Sequence, residues 1–232
     1  MSFGKGITWN QKKMKFITLF DLDGTLTPPR KKMNKNMLSS LRELSIYSEI
    51  GIVTGSDFNY LCEQADRLIN VSELRYRLHL FPCNGTKYYR PPMDSYGKHK
   101  KVYDVNMRSK IGEKAFTELM INLILRQSAI RHSGIPLTGH FIDYRGSMIN
   151  WCPIGRNADT KDREAFIKQD ALKNIRSEEM EKLKDFLCLH KIDHLVDIKL
   201  GGSTSFDIYP KGWDKTHCLT HIEGYQGFFV GD

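Results

Sequence analysis

The sequence lacks the features of a membrane or secreted protein. Its 232 residues contain no apolar run near the roughly 20 residues that cross a bilayer, and the N-terminus has no apolar signal-peptide core. The five cysteines are scattered, odd in number and never spaced as C-x-x-C, which argues against a disulfide framework and a structural zinc site. We therefore expect a cytoplasmic protein with reduced thiols and no membrane partner.

Acidic residues are in the minority. The chain has 35 lysines and arginines against 27 acidic residues, which gives a formal net charge of +8. No recognised nucleic-acid motif accompanies the basic residues, so we predict no nucleic-acid partner. Phosphorylated small molecules explain a basic active-site region equally well, while the basic clusters at 5–15 and 30–35 are typical of a solvated surface.

The N-terminal third alternates strand and helix patterns. Short apolar runs at 16–20, 50–53 and 78–81 predict buried parallel strands. Helices with one apolar face are predicted after Asn34 and from about Asp57. This βαβαβ order indicates a Rossmann-like, doubly wound α/β sheet, in which ligands bind beyond the carboxyl ends of the strands.

The pattern changes at about residue 97. Helices and antiparallel strands are now predicted, at 112–127, 140–144, 147–152, 178–189, 194–198 and 205–208. A helix and a strand that return to the α/β style follow, at 215–222 and 227–230. We therefore predict an α+β cap domain at 97–208, inserted into a core domain that is formed by 1–96 and 209–232.

The segment FDLDGTLT, residues 20–27, carries the first chemical motif. A strand delivers Asp21 to its end, Asp23 follows two residues later, and Gly24 allows a tight turn that brings backbone amides toward a phosphate. Asp21 is suited to attack phosphorus, and Asp23 to move a proton to or from the substrate oxygen. A D-x-D pair alone is weak evidence, but the full string after an apolar strand resembles the signature of the haloacid-dehalogenase superfamily.

Two further segments extend this resemblance. Thr54 and Ser56 precede a predicted helix, so that their hydroxyls and the helix N-terminus can bind a phosphoryl group. Alone, the segment Gly-Ser-Asp at 55–57 is equally typical of a helix N-cap. Lys215 stands before the last predicted helix and supplies a cation that can neutralise Asp21. A lone lysine at a helix start is usually a surface residue, but this one follows the segment SFDIYP.

The chain is similar to the eukaryotic-type phosphomannomutases, which are cap-bearing members of this superfamily. The resemblance spans about 16–232 and rests on FDLDGTLTPPR, GSDF, FPCNG, the run at 141–156 that ends in CPIGR, GGSTSFDIYPKGWDK and the final FFVGD. It implies that Asp21 is the phosphorylated nucleophile and Asp23 the acid/base. It also implies a Mg²⁺ ion held by Asp21, Asp23 and Asp232, because Mg²⁺ prefers oxygen ligands.

The same resemblance identifies a set of substrate residues: Arg30, Arg145, Arg156, Arg163, Ser205 and Asp207. The arginines suit a ligand with two phosphates, since each guanidinium can bind bidentately. The serine and the aspartate match residues that contact the sugar, and positions two apart share one face of a strand. The family reaction implies a hexose 1,6-bisphosphate intermediate and activator, a cap that closes against water, and a homodimer through the cap.

The sequence departs from the family at three points. Thr54 stands where the family usually has glycine, Cys83 replaces an acidic residue, and the family continues beyond the final Gly-Asp with further metal-loop positions. Three hypotheses therefore stay open. The first is a mutase that interconverts mannose 6-phosphate and mannose 1-phosphate and feeds GDP-mannose synthesis. The second is a Mg²⁺-dependent sugar-phosphate phosphatase, and the third an inactive sugar-phosphate-binding homologue.

Overall fold

Two β-sheets organise the protein in the computed structural model, which describes residues 15–93, 97–130 and 134–231. The first sheet contains strands β1 to β5 and β10, at Lys15–Asp21, Glu49–Val53, Leu78–Phe81, Lys87–Arg90, Lys100–Asp104 and Tyr225–Val230. Their spatial order is β10-β1-β2-β3-β4-β5. The first four of these run parallel, and β4 and β5 join antiparallel.

Helices cover both faces of the parallel strands. Helix α1 (Lys35–Leu44) is capped by Asn34, and helix α2 (Phe58–Asp66) by Asp57. Both helices pack on one face, in a cluster that includes Ile50, Ile52, Leu61, Ala65, Leu68 and Leu80. A 3₁₀ helix, Lys215–His221, covers the other face. The α/β core predicted from the sequence is thus confirmed, including the inward face of α2.

The second sheet has four antiparallel strands, β6 to β9, at Ile142–Tyr144, Ile149–Trp151, Val196–Gly201 and Ser205–Pro210, in the order β6-β7-β9-β8. The helices of this region are α3 to α6, at Met107–Ile111, Glu113–Ala129, Thr160–Lys173 and Ile175–Leu189. Residues of α4 and α6 share a core with β7 and β9, in which Trp151 stacks on Phe206 at 4.8 Å between ring centroids. This unit is the α+β arrangement expected of the insert.

Several elements differ from the sequence-based expectations. Strands β4 and β5 and helix α5 were not predicted, and the last helical segment is 3₁₀ rather than α. Because β5 pairs with β4, residues 100–104 belong to the first sheet, in contrast with a cap that begins at 97. The division into core and cap stays a prediction, and we now place the start of the insert after Asp104. Asp232 lies outside the described residues.

The parallel strands position the site. Strands β1, β2 and β3 end side by side at Asp21, Val53 and Phe81, and the loops that follow them meet at one edge of the sheet. Backbone bonds tie two of these loops together, because the amide of Asn84 donates to the carbonyl of Thr54 at 2.8 Å. Within the described residues, no helix is long and apolar enough to cross a membrane.

The buried Trp151–Phe206 pair should dominate the stability of the second sheet. Phe206→Ala removes a fully buried ring, and we expect it to lower the free energy of unfolding by about 3–5 kcal/mol in urea titrations. The matched control is Phe228→Ala on β10, whose side chain is 71% exposed and should change stability by no more than about 0.5 kcal/mol. Equal losses in the two variants would contradict this account.

Candidate active site

Asp21 is held at both carboxylate oxygens. It is the last residue of β1 and is buried. One oxygen, Oδ1, accepts a hydrogen bond from the amide of Leu22 at 2.8 Å, and Oδ2 contacts the ammonium group of Lys215. Lys215 begins the 3₁₀ helix, whose first turn is capped by Asp214. The carboxylate therefore has a fixed direction and a cation beside it, as a nucleophile that approaches an anionic phosphoryl group requires.

Asp23 lies in a different environment. Its Oδ1 accepts hydrogen bonds from the hydroxyl of Tyr60 and the amide of Gln64, both at 3.2 Å, and from the backbone of Arg30 at 3.4 Å. The hydroxyl of Thr27 donates to Gln64 Oε1 at 2.6 Å, which fixes the amide of Gln64. Burial and the charge of Asp23 raise the pKa of Tyr60, so that this phenol remains a donor. Tyr60 and Gln64 were missed from the sequence, where they are ordinary helix residues.

The loop after β2 is tied down internally. The Thr54 hydroxyl accepts from the amide of Ser56 at 3.1 Å, and the carbonyl of Ser56 accepts from the amide of Cys83 at 2.9 Å. The carboxylate of Asp57 accepts from the Tyr60 amide at 2.8 Å and caps α2. This arrangement places both predicted phosphate-binding residues, Thr54 and Ser56, in the loop that lies next to the end of β1.

Two arginines of the second sheet share one carboxylate. Arg145 Nε lies 2.9 Å and Arg156 Nε 3.5 Å from Asp143 Oδ2. Arg145 also donates from Nη1 to the carbonyl oxygen of Gly55 at 2.8 Å. This last bond joins the hairpin between β6 and β7 to the loop after β2, and it closes one side of the cleft between the two sheets.

The third arginine of this region, Arg163, lies on α5. It donates to the Thr204 hydroxyl at 2.7 Å and to the carbonyl oxygens of Ala158 and Arg156 at 3.1 and 3.3 Å. Burial lowers the pKa of Arg163, and the charges of Arg30 and Arg156 lower it further. Arg30, in the loop after β1, is exposed, and its charge acts on both Arg156 and Arg163.

The pKa of Arg156 shows the same crowding of positive charge. Burial lowers it first, and the charges of Arg145 and Arg30 add to this effect, while Asp143 opposes it. Like charges gathered in a partly desolvated cleft repel one another, and an anionic ligand between them offsets that cost. The structure thus places Arg30 and Arg145 within electrostatic range of Arg156, and Arg30 and Arg156 within range of Arg163.

The predicted sugar-binding pair lies on β9. Ser205 and Asp207 lie on one face of β9, while Phe206 and Ile208 are fully buried on the opposite face. Burial raises the pKa of Asp207, and the charge of Arg145 and a hydrogen bond from Asn150 oppose that rise. A Cβ atom placed on Gly55 would lie 3.6 Å from Asp207 Oδ2, so this carboxylate sits directly against the loop after β2.

The donor set for a metal is small. Across residues 15–93, 97–130 and 134–231, no three His, Cys, Asp or Glu side chains form a cluster suited to a metal ion. Asp21 and Asp23 nevertheless supply hard oxygen atoms near the phosphate-binding loops. Mg²⁺ commonly takes one or two carboxylates and completes its shell with water and phosphate oxygens, so these two residues fit that ion.

Comparison with known proteins identifies the family of this chain. A family model described as eukaryotic phosphomannomutase matches residues 35–232. The chain belongs to the eukaryotic phosphomannomutase family. A phosphomannomutase of Dendrobium officinale is 37% identical over 219 residues, which cover 93% of this chain and 79% of that protein. A phosphomannomutase of Spinacia oleracea is 34% identical over 223 residues, which cover 95% of this chain and 82% of that protein.

Solved structures support the fold of this phosphomannomutase-family chain. The C-terminal domain of Candida albicans trehalose-6-phosphate phosphatase matches with a TM-score of 0.57 and 16% identity, over 94% of this chain and 69% of that one. A haloacid dehalogenase-like hydrolase from Bacteroides thetaiotaomicron matches with a TM-score of 0.54 and 14% identity, over 95% and 82%. At these identities the likeness concerns the haloacid-dehalogenase-like fold alone.

The contacts of Asp23 predict a role for Tyr60. Tyr60→Phe removes one of the donors that orient the Asp23 carboxylate, so we expect kcat for the conversion of mannose 1-phosphate to fall about tenfold with KM little changed. Tyr47→Phe is the matched control, because Tyr47 is an exposed phenol outside the site. Steady-state kinetics measure both variants, and an unchanged kcat in Tyr60→Phe would contradict the role.

Proposed function

We propose that this chain is a phosphomannomutase that interconverts mannose 6-phosphate and mannose 1-phosphate. One observation carries the proposal: Asp207 of the second sheet lies within electrostatic range of Arg145 and Arg156 and also of Lys215, which contacts Asp21 in the core. A nucleophile that faces a separate cationic site suits a substrate with phosphate at both ends. Membership of the phosphomannomutase family supports the same substrate class.

The reaction begins on hexose 1,6-bisphosphate. Asp21 attacks one phosphorus, the bond from phosphorus to the sugar oxygen breaks, and Asp23 donates a proton to that oxygen. A substrate monophosphate then binds with its free hydroxyl toward Asp21 and takes the phosphoryl group while Asp23 accepts the proton, which forms hexose 1,6-bisphosphate. This bisphosphate turns end for end and returns its other phosphoryl group to Asp21, which releases the isomeric monophosphate. Lys215, the hydroxyls of Thr54 and Ser56 and the nearby backbone amides offset the charge on the transferring group.

The arginines take the phosphate that is not transferred. Arg30, Arg145, Arg156 and Arg163 can together neutralise a dianion, and their mutual repulsion decreases when it binds. The bond from Arg145 to Gly55 closes the cleft on one side, which limits attack by water on the phosphorylated aspartate. Hexose 1,6-bisphosphate is accordingly the activator, because it phosphorylates Asp21 at the start.

Mg²⁺ is the proposed cofactor. Asp21 and Asp23 would hold it, with Asp232 as a third carboxylate that lies outside the described residues. When bound, the ion shields the carboxylates and stabilises charge on the phosphoryl oxygens. We further infer a cytoplasmic enzyme whose mannose 1-phosphate feeds GDP-mannose synthesis, and whose partners are hexose phosphates rather than nucleic acid or membrane.

A phosphatase is the second candidate, and Thr54 favours it. A hydroxyl residue at this position resembles the second motif of the wider superfamily, where phosphatases are common, rather than the glycine usual in phosphomannomutases. In that case water accepts the phosphoryl group from Asp21. An inactive sugar-phosphate-binding protein is the third candidate. The arginine set favours the mutase, because simple hydrolysis of one phosphate ester needs no second phosphate site.

One assay separates these candidates. The protein is incubated with mannose 1-phosphate, Mg²⁺ and a trace of hexose 1,6-bisphosphate, and both mannose 6-phosphate and free phosphate are measured. We expect mannose 6-phosphate as the main product, and a loss of at least about 10⁴-fold in Asp21→Asn because the nucleophile is gone. Asp185→Asn, an exposed position on α6, is the matched control and should retain full activity.

The other outcomes of this assay oppose the mutase. Release of phosphate without mannose 6-phosphate supports the phosphatase. Binding of mannose 1-phosphate with neither product supports the inactive homologue. Mannose 6-phosphate formation that persists in Asp21→Asn would contradict the assignment of Asp21 as nucleophile.

A homodimer through the cap is part of the proposal. Helix α4 exposes Ile121, Ile124 and Leu125 by 52%, 56% and 60%, and these residues recur on one side of the helix. Two copies that pack these faces together remove apolar surface from water.

We expect sedimentation to give twice the 26.9 kDa chain mass, and Leu125→Asp to give the monomer. A wild-type monomer at micromolar concentration would overturn this prediction, and Leu137→Asp is the control for a single exposed leucine elsewhere.

A further inference from the structure

Asn150 is a buried polar residue in the middle of the second sheet. It lies on β7, in register with Asp207 of β9, and its side chain is only 3% exposed. Its Nδ2 donates to Ser205 Oγ at 3.0 Å, to Asp207 Oδ1 at 2.8 Å and to the carbonyl oxygen of Phe206 at 3.3 Å. Its Oδ1 accepts from Arg156 Nη1 at 2.9 Å. A single amide thus contacts a predicted phosphate-binding residue and both predicted sugar-binding residues.

The charges around this amide fix its orientation. Rotation by 180° about the terminal bond would turn the amino group toward the guanidinium of Arg156 and the carbonyl oxygen toward the carboxylate of Asp207. Both exchanges replace an attractive contact by a repulsive one, and a buried polar group that loses its partner costs about 1–3 kcal/mol. Asn150 therefore has one stable orientation, which in turn fixes the orientation of the side chains bonded to it.

Asn150 also determines what Ser205 offers to a ligand. The Ser205 hydroxyl donates its only proton to the carbonyl oxygen of Gly201 at 2.6 Å, and Asn150 occupies one of its lone pairs. What remains on this side chain is an acceptor. Asp207 has Oδ1 bound to Asn150, and Oδ2 lies toward the loop that contains Gly55. The pair consequently presents acceptors, which match ligand groups that donate, such as sugar hydroxyls.

We infer that Asn150 is the positioning residue of the sugar site, which sets Ser205 and Asp207 as a pair of acceptors for neighbouring sugar hydroxyls and links them to the phosphate-binding Arg156. The inference rests on the proposed function and adds the residue that orients the two proposed sugar-binding side chains. Asn150 touches no reacting atom, so its effect reaches the substrate through these three partners.

Two variants separate the two branches of the Asn150 contacts, which are the bond from Arg156 (the phosphate branch) and the bonds to Ser205 and Asp207 (the sugar branch). Asn150→Ala removes both branches. Asn150→Asp keeps an oxygen for Arg156 but places a second carboxylate oxygen against Asp207, so only the sugar branch is lost. The matched control is Asn70→Ala, because Asn70 is exposed and its side-chain amide donates to the Asp66 carboxylate at 2.7 Å, far from the sugar site in sequence and fold. All variants are made in the full chain.

The two readouts are the Kd for mannose 6-phosphate, from calorimetry, and kcat/KM for hydrolysis of p-nitrophenyl phosphate. The aryl phosphate has no sugar hydroxyls, so it reports on Asp21 and the core loops alone. We expect Asn150→Ala and Asn150→Asp each to raise the Kd for mannose 6-phosphate by about tenfold or more. Hydrolysis of the aryl phosphate should stay within about twofold of wild type, as should both readouts in Asn70→Ala.

Other results overturn the inference. A Kd that stays unchanged in both variants shows that the amide does not position the pair. Parallel losses of binding and aryl phosphate hydrolysis, or variants that do not fold, show a general structural role instead. If wild-type protein binds no mannose 6-phosphate, the proposed function itself fails and the inference fails with it; if wild type binds and the variants bind equally, the inference alone fails.

Discussion

The hydrogen bond from Arg145 to the carbonyl oxygen of Gly55 is the contact on which the site depends. Arg145 belongs to the second sheet, and Gly55 to the loop after β2 of the first sheet. Asp143 holds the other side of the same guanidinium, so the arginine cannot turn away without the loss of a charge-assisted bond. Because this contact lies between the end of β2 and the turn of a hairpin, it sets the distance between the nucleophile and the arginines.

The two sides of the cleft carry opposite charges, and each side is only partly compensated. On the core side Asp21 has Lys215 as its partner, while Asp23 has neutral donors. On the opposite side Asp143 is shared by Arg145 and Arg156, and the charge of Arg145 adds to burial in lowering the pKa of Arg156. An anion that enters this cleft therefore finds a cation surplus on one wall and the ammonium group of Lys215 on the other.

The sequence predicted the parallel half of the fold because its signals are local and strong. Asn34 and Asp57 cap their helices as expected, and the apolar runs form β1, β2 and β3. Strand β5 was missed because it is an exposed edge strand that carries lysines, so no apolar alternation marks it. Helix α5 was missed because only Phe166 is buried along its 14 residues, which leaves no apolar stripe.

The residues of the candidate site likewise divide into those that the sequence predicts and those that it misses. Asp21 and Lys215 could be predicted because short motifs carry them, and the structure brings them into contact across 194 positions of sequence. Tyr60, Gln64 and Asn150 could not be predicted as site residues. Each is a common residue in a helix or strand, and its role depends on hydrogen bonds to partners that are distant in sequence. Hydrogen-bond partners of this kind are set by tertiary packing, which no local pattern encodes.

The acceptor character of the Ser205/Asp207 pair bears on the choice between a mutase and a phosphatase. A phosphatase binds its ester in one orientation, so fixed donors and acceptors can each match one sugar group. In the proposed mutase reaction the hexose 1,6-bisphosphate turns end for end, and different hydroxyls meet the same two side chains in the two orientations. Every sugar hydroxyl can donate a hydrogen bond, so a pair of acceptors accommodates both orientations, whereas a donor–acceptor pair would demand a particular hydrogen-bond pattern in each. The carbonyl oxygen of Gly201 accepts the Ser205 proton, and Asn150 commits its own amino group to both members of the pair, so neither group donates to the ligand. The hydrogen bonding of the second sheet is therefore better matched to a substrate that must bind in two ways than to one that is hydrolysed once.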